Sequence, residues 1–228
     1  TPSAAILPAG IAPGRVLEVE WGADNVRFHP GAAGPLPFTP PAGTVAVFAG
    51  AFRSWHGAVH LARAVRLLRE RGRRDVAALF IGDGPELPRV RAEASGLDNV
   101  LFAGALPHER MPAALAAAHI GVAPFDIEAH RPLSLGFYWS PLKMFEYMAT
   151  GLPVVAPAVA RIPRLVAHER EGILYDPAQP GALAAALERL TDPGQRATLG
   201  AAARARAERE YSWAAHCRAL SDALTGRR

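Results

Sequence analysis

The stretch TVAVFAGAFRSWHGAVHLARAVRLLRERGRRDVAALFIG, residues 44–82, decides the fold class. It begins and ends with short runs of apolar and β-branched residues, which are typical of buried strands. Between these runs Leu61, Val65 and Leu68 recur at the spacing of one helix face, and Gly72 stands where a helix C-terminus favours glycine. This order predicts two parallel strands joined by a right-handed helical crossover.

The same alternation continues along the chain. Apolar runs at 99–104, 120–125, 152–157 and 172–176 are separated by stretches with helical periodicity. The runs are almost wholly apolar, which is expected when helices cover both faces of a parallel sheet. We therefore predict an α/β fold with a Rossmann-like, doubly wound parallel sheet, followed by a helical tail.

The first 41 residues differ from the rest. Residues 15–20 are predicted to form one strand, and a connection rich in proline and glycine follows. One strand cannot form a core, so this segment is expected to be the end of another unit. We predict a linker or domain remnant at 1–41 and a ligand-binding domain at 42–228.

Composition limits the possible classes of protein. Half of the residues are hydrophobic and 20% are charged, as in ordinary globular proteins. Neither an apolar run long enough for a membrane span nor a signal peptide is recognisable. Cys217 is the only cysteine, which excludes disulfide frameworks within the chain and favours a cytoplasmic, reducing setting.

The charge balance is compatible with an anionic partner but is more simply explained without one. The net charge is +4 and the sequence pI is about 9.8. Phosphate ligands or acidic lipid surfaces fit this balance, and so do arginines that merely solvate alanine-rich helices. Nucleic acid is disfavoured because the arginines are scattered and lack interleaved aromatic residues.

Ligands of doubly wound sheets bind beyond the carboxyl ends of the strands, so the loops after the strands carry the candidates. After the first strand, Gly50 permits a tight exit, and Arg53 and His56 precede a helix whose N-terminus favours anions. After the second, Gly82 and Gly84 allow a ligand to approach the backbone closely. An ordinary strand-to-helix turn explains the first loop equally well, and a turn selected for its backbone angles explains the second loop better.

The third and fourth loops give weaker signals. Leu106, Pro107 and His108 are suited to the rim of a site for a planar base, although His108 also fits a simple helix start. Asp126 and Glu128 form a D-x-E pattern that a divalent metal with phosphates would suit. Paired carboxylates are common on loops, so a metal site is the less favoured interpretation.

The stretch SPLKMFEYMATGLPVVAP, residues 140–157, gives the sharpest prediction. Ser140 is predicted as the N-cap of a helix with Pro141 at its first position. The backbone N–H groups of Leu142 and Lys143 would then be unpaired, and Lys143 would add a positive charge to that end. This arrangement predicts a phosphate site.

Glu146 lies one turn further along the same predicted helix. It shares a side with Lys143, whereas Phe145, Met148 and Ala149 face the predicted core. A carboxylate can accept two hydrogen bonds from a vicinal diol such as a ribose. The spacing therefore favours a nucleoside diphosphate over the alternative, a Lys143–Glu146 pair on the surface.

Taken together, these motifs resemble the C-terminal, donor-binding domain of GT-B fold glycosyltransferases close to family 4, the glycosyl transferases group 1. The matching segments occur in the expected order, and they are GADNVRFHP, FAGAFRSWHG, GDGPE, SPLKMFEYMATGLPVVA, EGILYDP and YSW. The resemblance covers nearly the whole chain. It implies that a nucleoside diphosphate sugar binds as the substrate, that the reaction is retaining, and that neither a cofactor nor a bound metal is needed.

The resemblance also implies roles for individual residues. The donor diphosphate would be bound by Gly50, Arg53, His56, Ser140, Leu142 and Lys143. The ribose would be bound by Glu146. The base would lie against Gly82, Gly84, Leu106 and Pro107.

The sequence departs from the family pattern at three places. Tyr138 replaces the first glutamate of the usual pair, while Ala51 and His56 replace the arginine and lysine usual in the first loop. Arg53 and Lys143 are expected to supply the positive charge instead. The departures leave the sugar contacts open.

The implied activity is transfer of a sugar from a nucleoside diphosphate, UDP or GDP, to a glycan or lipid acceptor. An N-terminal acceptor domain is expected to precede this chain, so no catalytic residue is assigned, and the isolated chain is expected to bind nucleotide without transferring sugar. A cytoplasmic protein with peripheral contact at the inner membrane face fits this activity. The alternatives are a nucleotide-sugar epimerase of the same fold and a non-catalytic binding module.

Overall fold

A computed structural model describes residues 16–130 and 140–226, and the six strands predicted from residue 44 onward form in it. They build one parallel sheet in the order β3-β2-β1-β4-β5-β6. The strands are β1 (Thr44–Ala49), β2 (Val76–Ile81), β3 (Val100–Gly104), β4 (Ile120–Val122), β5 (Val154–Pro157) and β6 (Gly172–Tyr175). The order reverses between β1 and β4, which creates a crevice at their carboxyl ends.

The helices follow the strands as the periodicity predicted. They are α1 (Ala58–Glu70), α2 (Leu87–Glu93), α3 (Met111–Ala116), α4 (Leu142–Ala149), α5 (Ile162–Leu165), α6 (Ala182–Arg189), α7 (Pro193–Glu210) and α8 (Trp213–Thr225). Two short 3₁₀ helices, Ser54–His56 and His108–Arg110, lie in loops after β1 and β3. None of the helices in the described part of the chain has the length and apolar character to cross a bilayer.

The sheet buries both of its faces. On β1, Val45, Val47 and Ala49 pack into the layer that contains α4, whereas Ala46 and Phe48 pack into the layer that contains α1. Successive side chains of a strand point to opposite faces, so each strand contributes to both layers. The doubly wound Rossmann-like prediction is therefore confirmed.

Tyr147 on α4 bridges the two strands that diverge at the crevice. Its hydroxyl accepts a hydrogen bond from Ala49 N at 2.8 Å and donates to Val122 O at 3.5 Å. The ring is fully buried, and burial raises the pKa of the hydroxyl far above its usual range. The bridge attaches helix α4 to the carboxyl end of β1, where the first loop begins.

The predicted strand at 15–20 is wrong for residues 16–20, which have no strand structure. The alternation of apolar and acidic residues suggested a strand, but this segment pairs with neither edge of the sheet. The chain instead makes a single parallel bridge between Ala23 and Ser212 before α8. Ala23 and Phe28 are buried in the same core as α4, and the assignment of 1–41 as a linker stays a prediction.

Glu20 is the centre of a network that joins three distant parts of the chain. Its carboxylate accepts hydrogen bonds from Arg161, before α5, and from Ser140 Oγ, before α4, the second at 3.1 Å. Ser140 Oγ also accepts a hydrogen bond from Trp21 N at 3.2 Å, and His216 Nδ1 of α8 lies 2.8 Å from Glu20 O. We call Glu20, Ser140 and Arg161 the Glu20 network.

Candidate functional site

A cavity of about 410 Å³ opens where the sheet order reverses, between the carboxyl ends of the strands and the start of α4. We call it the first cavity. Many of the residues predicted from sequence lie on its walls. They are Gly50, His56, Gly82, Leu106, Ser140, Leu142, Lys143 and Glu146. The remaining lining is mostly apolar and includes Ile81, Met111 and Phe125.

Two glycines bring the first and second loops together at the cavity. A Cβ on Gly82 would lie 2.0 Å from Gly50 O, and the Gly82 φ of +125° is one that other residues rarely adopt. A Cβ on Gly50 would lie 3.1 Å from Lys143 Nζ. The absence of these two side chains keeps the backbone and the lysine side by side at the cavity wall.

Lys143 places an unpaired amine inside the protein. Its Nζ is buried and has no hydrogen-bond partner among the described residues, and it lies 4.2 Å from the centre of the Phe48 ring and 5.5 Å from that of Phe125. Burial lowers the pKa of Lys143 to about 7, although the Glu146 carboxylate opposes the shift. The predicted alternative, a surface pair with Glu146, is wrong because the amine is buried.

Lys143 is also the only lysine of the chain, whose other basic side chains besides histidine are arginines. An arginine remains charged under all ordinary conditions, whereas a buried lysine can lose its proton. A buried donor without a partner is costly and calls for an explanation by a ligand or an ion. An anion in the first cavity would provide the missing partner.

His56 contributes a second nitrogen to this wall. Its Nδ1 donates a hydrogen bond to the carbonyl of Ala51, since a carbonyl can only accept, so the neutral ring presents Nε2 as the other nitrogen. Burial, together with the positive charge of Lys143, lowers the pKa of His56 to about 4. The free protein therefore holds a neutral imidazole beside the amine.

Glu146 lies one turn further along α4 than Lys143 and also lines the first cavity. Burial raises the pKa of its carboxyl group, and His108 and Lys143 partly counteract the shift. Glu146 Oε1 is 3.8 Å from His108 Nε2, and the His108 ring in turn packs edge-on against the ring of Phe28 at 5.6 Å. His108 is thus a neighbour of the carboxylate and not part of the cavity lining.

The start of α4 differs from the prediction in detail. The helix begins at Leu142, and Pro141, not Ser140, precedes it. Ser140 Oγ does not cap the helix because it belongs to the Glu20 network. The Leu142 N–H is not unpaired either, since it donates to Ser140 O at 3.0 Å. The positive charge at this end comes chiefly from Lys143.

Three predicted residues lie away from the lining. Arg53 and Pro107 are exposed, and Gly84 packs behind the cavity, where a Cβ would lie 2.7 Å from Phe52 N. Tyr138 lies outside the described residues. Residues missed by the sequence analysis include Phe48 and Tyr147, which looked like core residues and gave no other signal.

In the D-x-E pattern after β4, the Asp126 carboxylate already has partners in its own loop and on α1. The Asp126 carboxylate accepts hydrogen bonds from the N–H groups of Glu128 and Ala129 at 3.2 and 3.1 Å, and Oδ2 lies 3.1 Å from His60 Nε2. Across residues 16–130 and 140–226, no three histidine, cysteine, aspartate or glutamate side chains are grouped as metal ligands. The expectation that no metal is needed stays a prediction.

Comparison with known proteins identifies two informative relatives. The D-inositol 3-phosphate glycosyltransferase of Acidothermus cellulolyticus is 31% identical over 221 residues, which are 90% of this chain and 46% of that protein. The GDP-mannose-dependent alpha-(1-6)-phosphatidylinositol monomannoside mannosyltransferase of Mycolicibacterium smegmatis is 31% identical over 170 residues, which are 72% of this chain and 44% of that protein. The chain spans about half the length of the curated relatives it matches.

Solved structures share the fold. The structure of Anabaena HepE in complex with UDP and glucose superimposes with a TM-score of 0.64 at 20% identity, over 81% of this chain and 48% of that one. The fold is the Rossmann-like one of the C-terminal half of GT-B enzymes. A family model described as glycosyl transferases group 1 matches residues 43–192. The chain belongs to the glycosyl transferases group 1 family.

Proposed function

We propose that this chain is the nucleotide-sugar-binding half of a retaining glycosyltransferase that moves a sugar from a nucleoside diphosphate to a glycan or lipid acceptor. The observation that carries the proposal is the buried, unpaired amine of Lys143 at the wall of the first cavity. Family membership adds independent support, since the relatives compared above are named glycosyltransferases. The diphosphate, the ribose and the base of the donor each find suitable groups in the cavity.

The diphosphate would lie at the start of α4. Lys143 is protonated most easily when an anion lies beside it, so the ligand would restore the charge that burial disfavours. The same anion would raise the pKa of His56 and allow its Nε2 to donate a hydrogen bond. Gly50 leaves room for the phosphate oxygens to approach both nitrogens.

The ribose and the base would lie deeper along the cavity. The Glu146 carboxylate would accept hydrogen bonds from both ribose hydroxyl groups. Ile81, Leu106 and Met111 form an apolar wall nearby, which suits the faces of a planar base. Arg53 and Pro107 are exposed at the loops around the cavity and would contact the donor only at its rim.

Sugar transfer breaks the bond between the sugar carbon and the terminal phosphate oxygen. Negative charge develops on the diphosphate as it leaves, and a buried ammonium stabilises such charge more strongly than an exposed one. Lys143 would hold its proton at Nζ and donate a hydrogen bond to the leaving diphosphate. Transfer without a bound metal is part of this proposal.

The name of one relative bears on the acceptor and on the location of the protein. The M. smegmatis relative is named for a phosphatidylinositol monomannoside acceptor, so a lipid-linked acceptor at the cytoplasmic membrane face is consistent with the family. The match to about half of each relative supports a need for residues outside this chain in transfer. We therefore expect these 228 residues to bind nucleotide without transferring sugar.

Calorimetric titration of the chain with UDP, GDP and ADP tests the proposal. One nucleoside diphosphate should bind, and Lys143→Met should weaken it by about 30- to 100-fold, because a charge-assisted hydrogen bond contributes about 2–3 kcal/mol. Methionine keeps the length and the packing of the side chain on Phe48. Arg74→Met is the matched control, because Arg74 is exposed just before β2, at the amino-terminal ends of the strands and away from the cavity.

Two results would change the assignment. If the Lys143→Met variant and the wild type bound the nucleotide with equal affinity, the diphosphate would not bind at the start of α4. Release of an epimerised free nucleotide sugar by the chain would instead favour an epimerase of the same fold.

A further inference from the structure

A second and larger cavity, of about 650 Å³, also lies at the carboxyl ends of the strands, on the other half of the sheet. It is bounded by one face of α1, by the segment after β4, and by the loop between β6 and α6. Phe125 lines both cavities, so the two are neighbours across one aromatic ring. The volume falls in the range of about 300–1,000 Å³ that small-molecule sites occupy.

Most of the charged side chains around this second cavity already have partners. His60 Nε2 lies 3.1 Å from Asp126 Oδ2, and Arg63 Nε lies 3.1 Å from Glu93 Oε2. Glu128 is exposed at the rim, where water solvates its carboxylate. The cavity therefore does not offer the unpaired buried cation that the first cavity offers, and an anion would gain little there.

Neutral polar groups remain available. The Tyr175 hydroxyl and the Gln179 side-chain amide line the cavity and make no hydrogen bond to the residues described in this structure. Burial raises the pKa of Tyr175 well above its usual range, so the hydroxyl stays protonated and can both donate and accept. An amide has the same capacity through its separate oxygen and nitrogen.

Apolar surface lies beside these groups. Leu67, Ile127 and Val159 are only partly buried, and with the Phe125 ring they form a wall of carbon atoms. A ligand that matches this lining must be uncharged, must carry several hydroxyl groups, and must present a face of C–H groups. Among common biological ligands, a sugar ring combines these three properties.

We propose that the second cavity binds a neutral sugar residue, with its hydroxyl groups on Tyr175 and Gln179 and its C–H face on the Phe125 wall. The site is separate from the nucleotide site and does not depend on which nucleotide the first cavity holds. In a glycosyltransferase the bound sugar would belong to an acceptor or product glycan. That last role rests on the proposed function, whereas sugar binding itself does not.

Backbone amide NMR of the ¹⁵N-labelled chain tests the proposal with methyl α-glucoside and methyl α-mannoside as probes. At least one glycoside should shift the signals of residues around Tyr175 and Gln179. Gln179→Ala and Tyr175→Phe should each weaken this binding by about tenfold, since each removes a hydrogen bond to the ligand. Gln195→Ala, which changes the chain's other glutamine on α7, is the matched control and should bind normally.

A parallel titration with the preferred nucleoside diphosphate separates this proposal from the previous one. Both variants of the second cavity should keep wild-type nucleotide affinity, and Lys143→Met should keep glycoside binding. The proposal is overturned if neither glycoside shifts the signals of the second cavity. It is also overturned if the shifts persist in both variants, or if glucose 6-phosphate binds there more tightly than the neutral glycosides.

Discussion

The two cavities both lie at the carboxyl ends of the strands and share Phe125. They differ in whether the charged side chains that line them have partners. In the first cavity Lys143 presents a buried amine with no hydrogen-bond partner in the described part of the chain. In the second, His60 and Asp126 satisfy each other at 3.1 Å. The two cavities therefore differ in the charge that they offer to a ligand.

This difference shows that pairing, and not the number of charged residues, decides what a cavity prefers. A buried charge without a hydrogen-bond partner gains most from a ligand of opposite sign, because it has lost its water and gained no hydrogen bond in return. A paired charge has already regained part of that loss. Substitutions at Lys143, Tyr147, Glu146 and Asp126 test this contrast.

The largest effect is expected in the free energy of unfolding, which the burial of the Lys143 amine lowers at neutral pH. The unfolded chain binds the lysine proton up to about pH 10.5, whereas the folded chain loses it near pH 7, so stability rises with pH across this interval. The rise should total about 3–5 kcal/mol and should vanish in Lys143→Met. Urea unfolding between pH 6 and pH 10 measures it, and equal slopes for the two proteins would contradict an unpaired amine.

The bridge made by Tyr147 should matter to both stability and binding. Tyr147→Phe leaves Ala49 N without its partner at the end of β1, which should cost about 1–3 kcal/mol in urea unfolding and weaken nucleotide binding. Tyr211→Phe is the matched control, because it also removes a buried hydroxyl, the one that donates to Leu165 O at 3.1 Å. The control should lose stability alone, and an equal loss of affinity in both variants would contradict a specific role for the bridge.

Glu146 should act on the ligand through the ribose. Glu146→Gln should lower nucleotide affinity by about tenfold, because an amide cannot accept hydrogen bonds from both hydroxyl groups through two equivalent oxygens. Glu128→Gln, at the rim of the second cavity, should leave affinity unchanged. A 2′-deoxynucleotide should bind Glu146→Gln and wild type with nearly equal affinity, and a full tenfold difference would place Glu146 elsewhere on the ligand.

The smallest effect is expected at the paired charges of the second cavity. Asp126→Asn should cost less than about 1 kcal/mol of stability, because both side chains are partly exposed to water. Nucleotide affinity should not change. A large loss of nucleotide affinity would show that the two cavities are coupled through Phe125.

The fold and the first cavity could be predicted where local rules apply. Strand burial, helix periodicity and the loops after strands depend on residues close in sequence, and these rules brought Gly50, Lys143 and Glu146 to one wall. The segment at 16–20 shows the limit of such rules, because alternation alone does not reveal whether a sheet edge is available to pair with it.

The contacts that could not be predicted join residues far apart in the chain. Ser140 has the right type and position for a cap, yet its hydroxyl bonds to Glu20, 120 residues earlier. His108 lies near Glu146 because the loop after β3 and the start of α4 meet beside the same cavity. The burial of the Lys143 amine likewise depends on Phe48, which lies on the first strand and faces the layer of α1.

The Glu20 network has a mechanical consequence. Trp21 and Glu20 are held by Ser140, and Ser140 is followed within two residues by the first turn of α4, which carries Lys143. Any displacement of the chain ahead of Trp21 must therefore either break these hydrogen bonds or shift the end of the helix that faces the first cavity. The end of α4 at the first cavity is, in this sense, tied to the chain ahead of Trp21, and a force on that chain would be transmitted to the Lys143 amine.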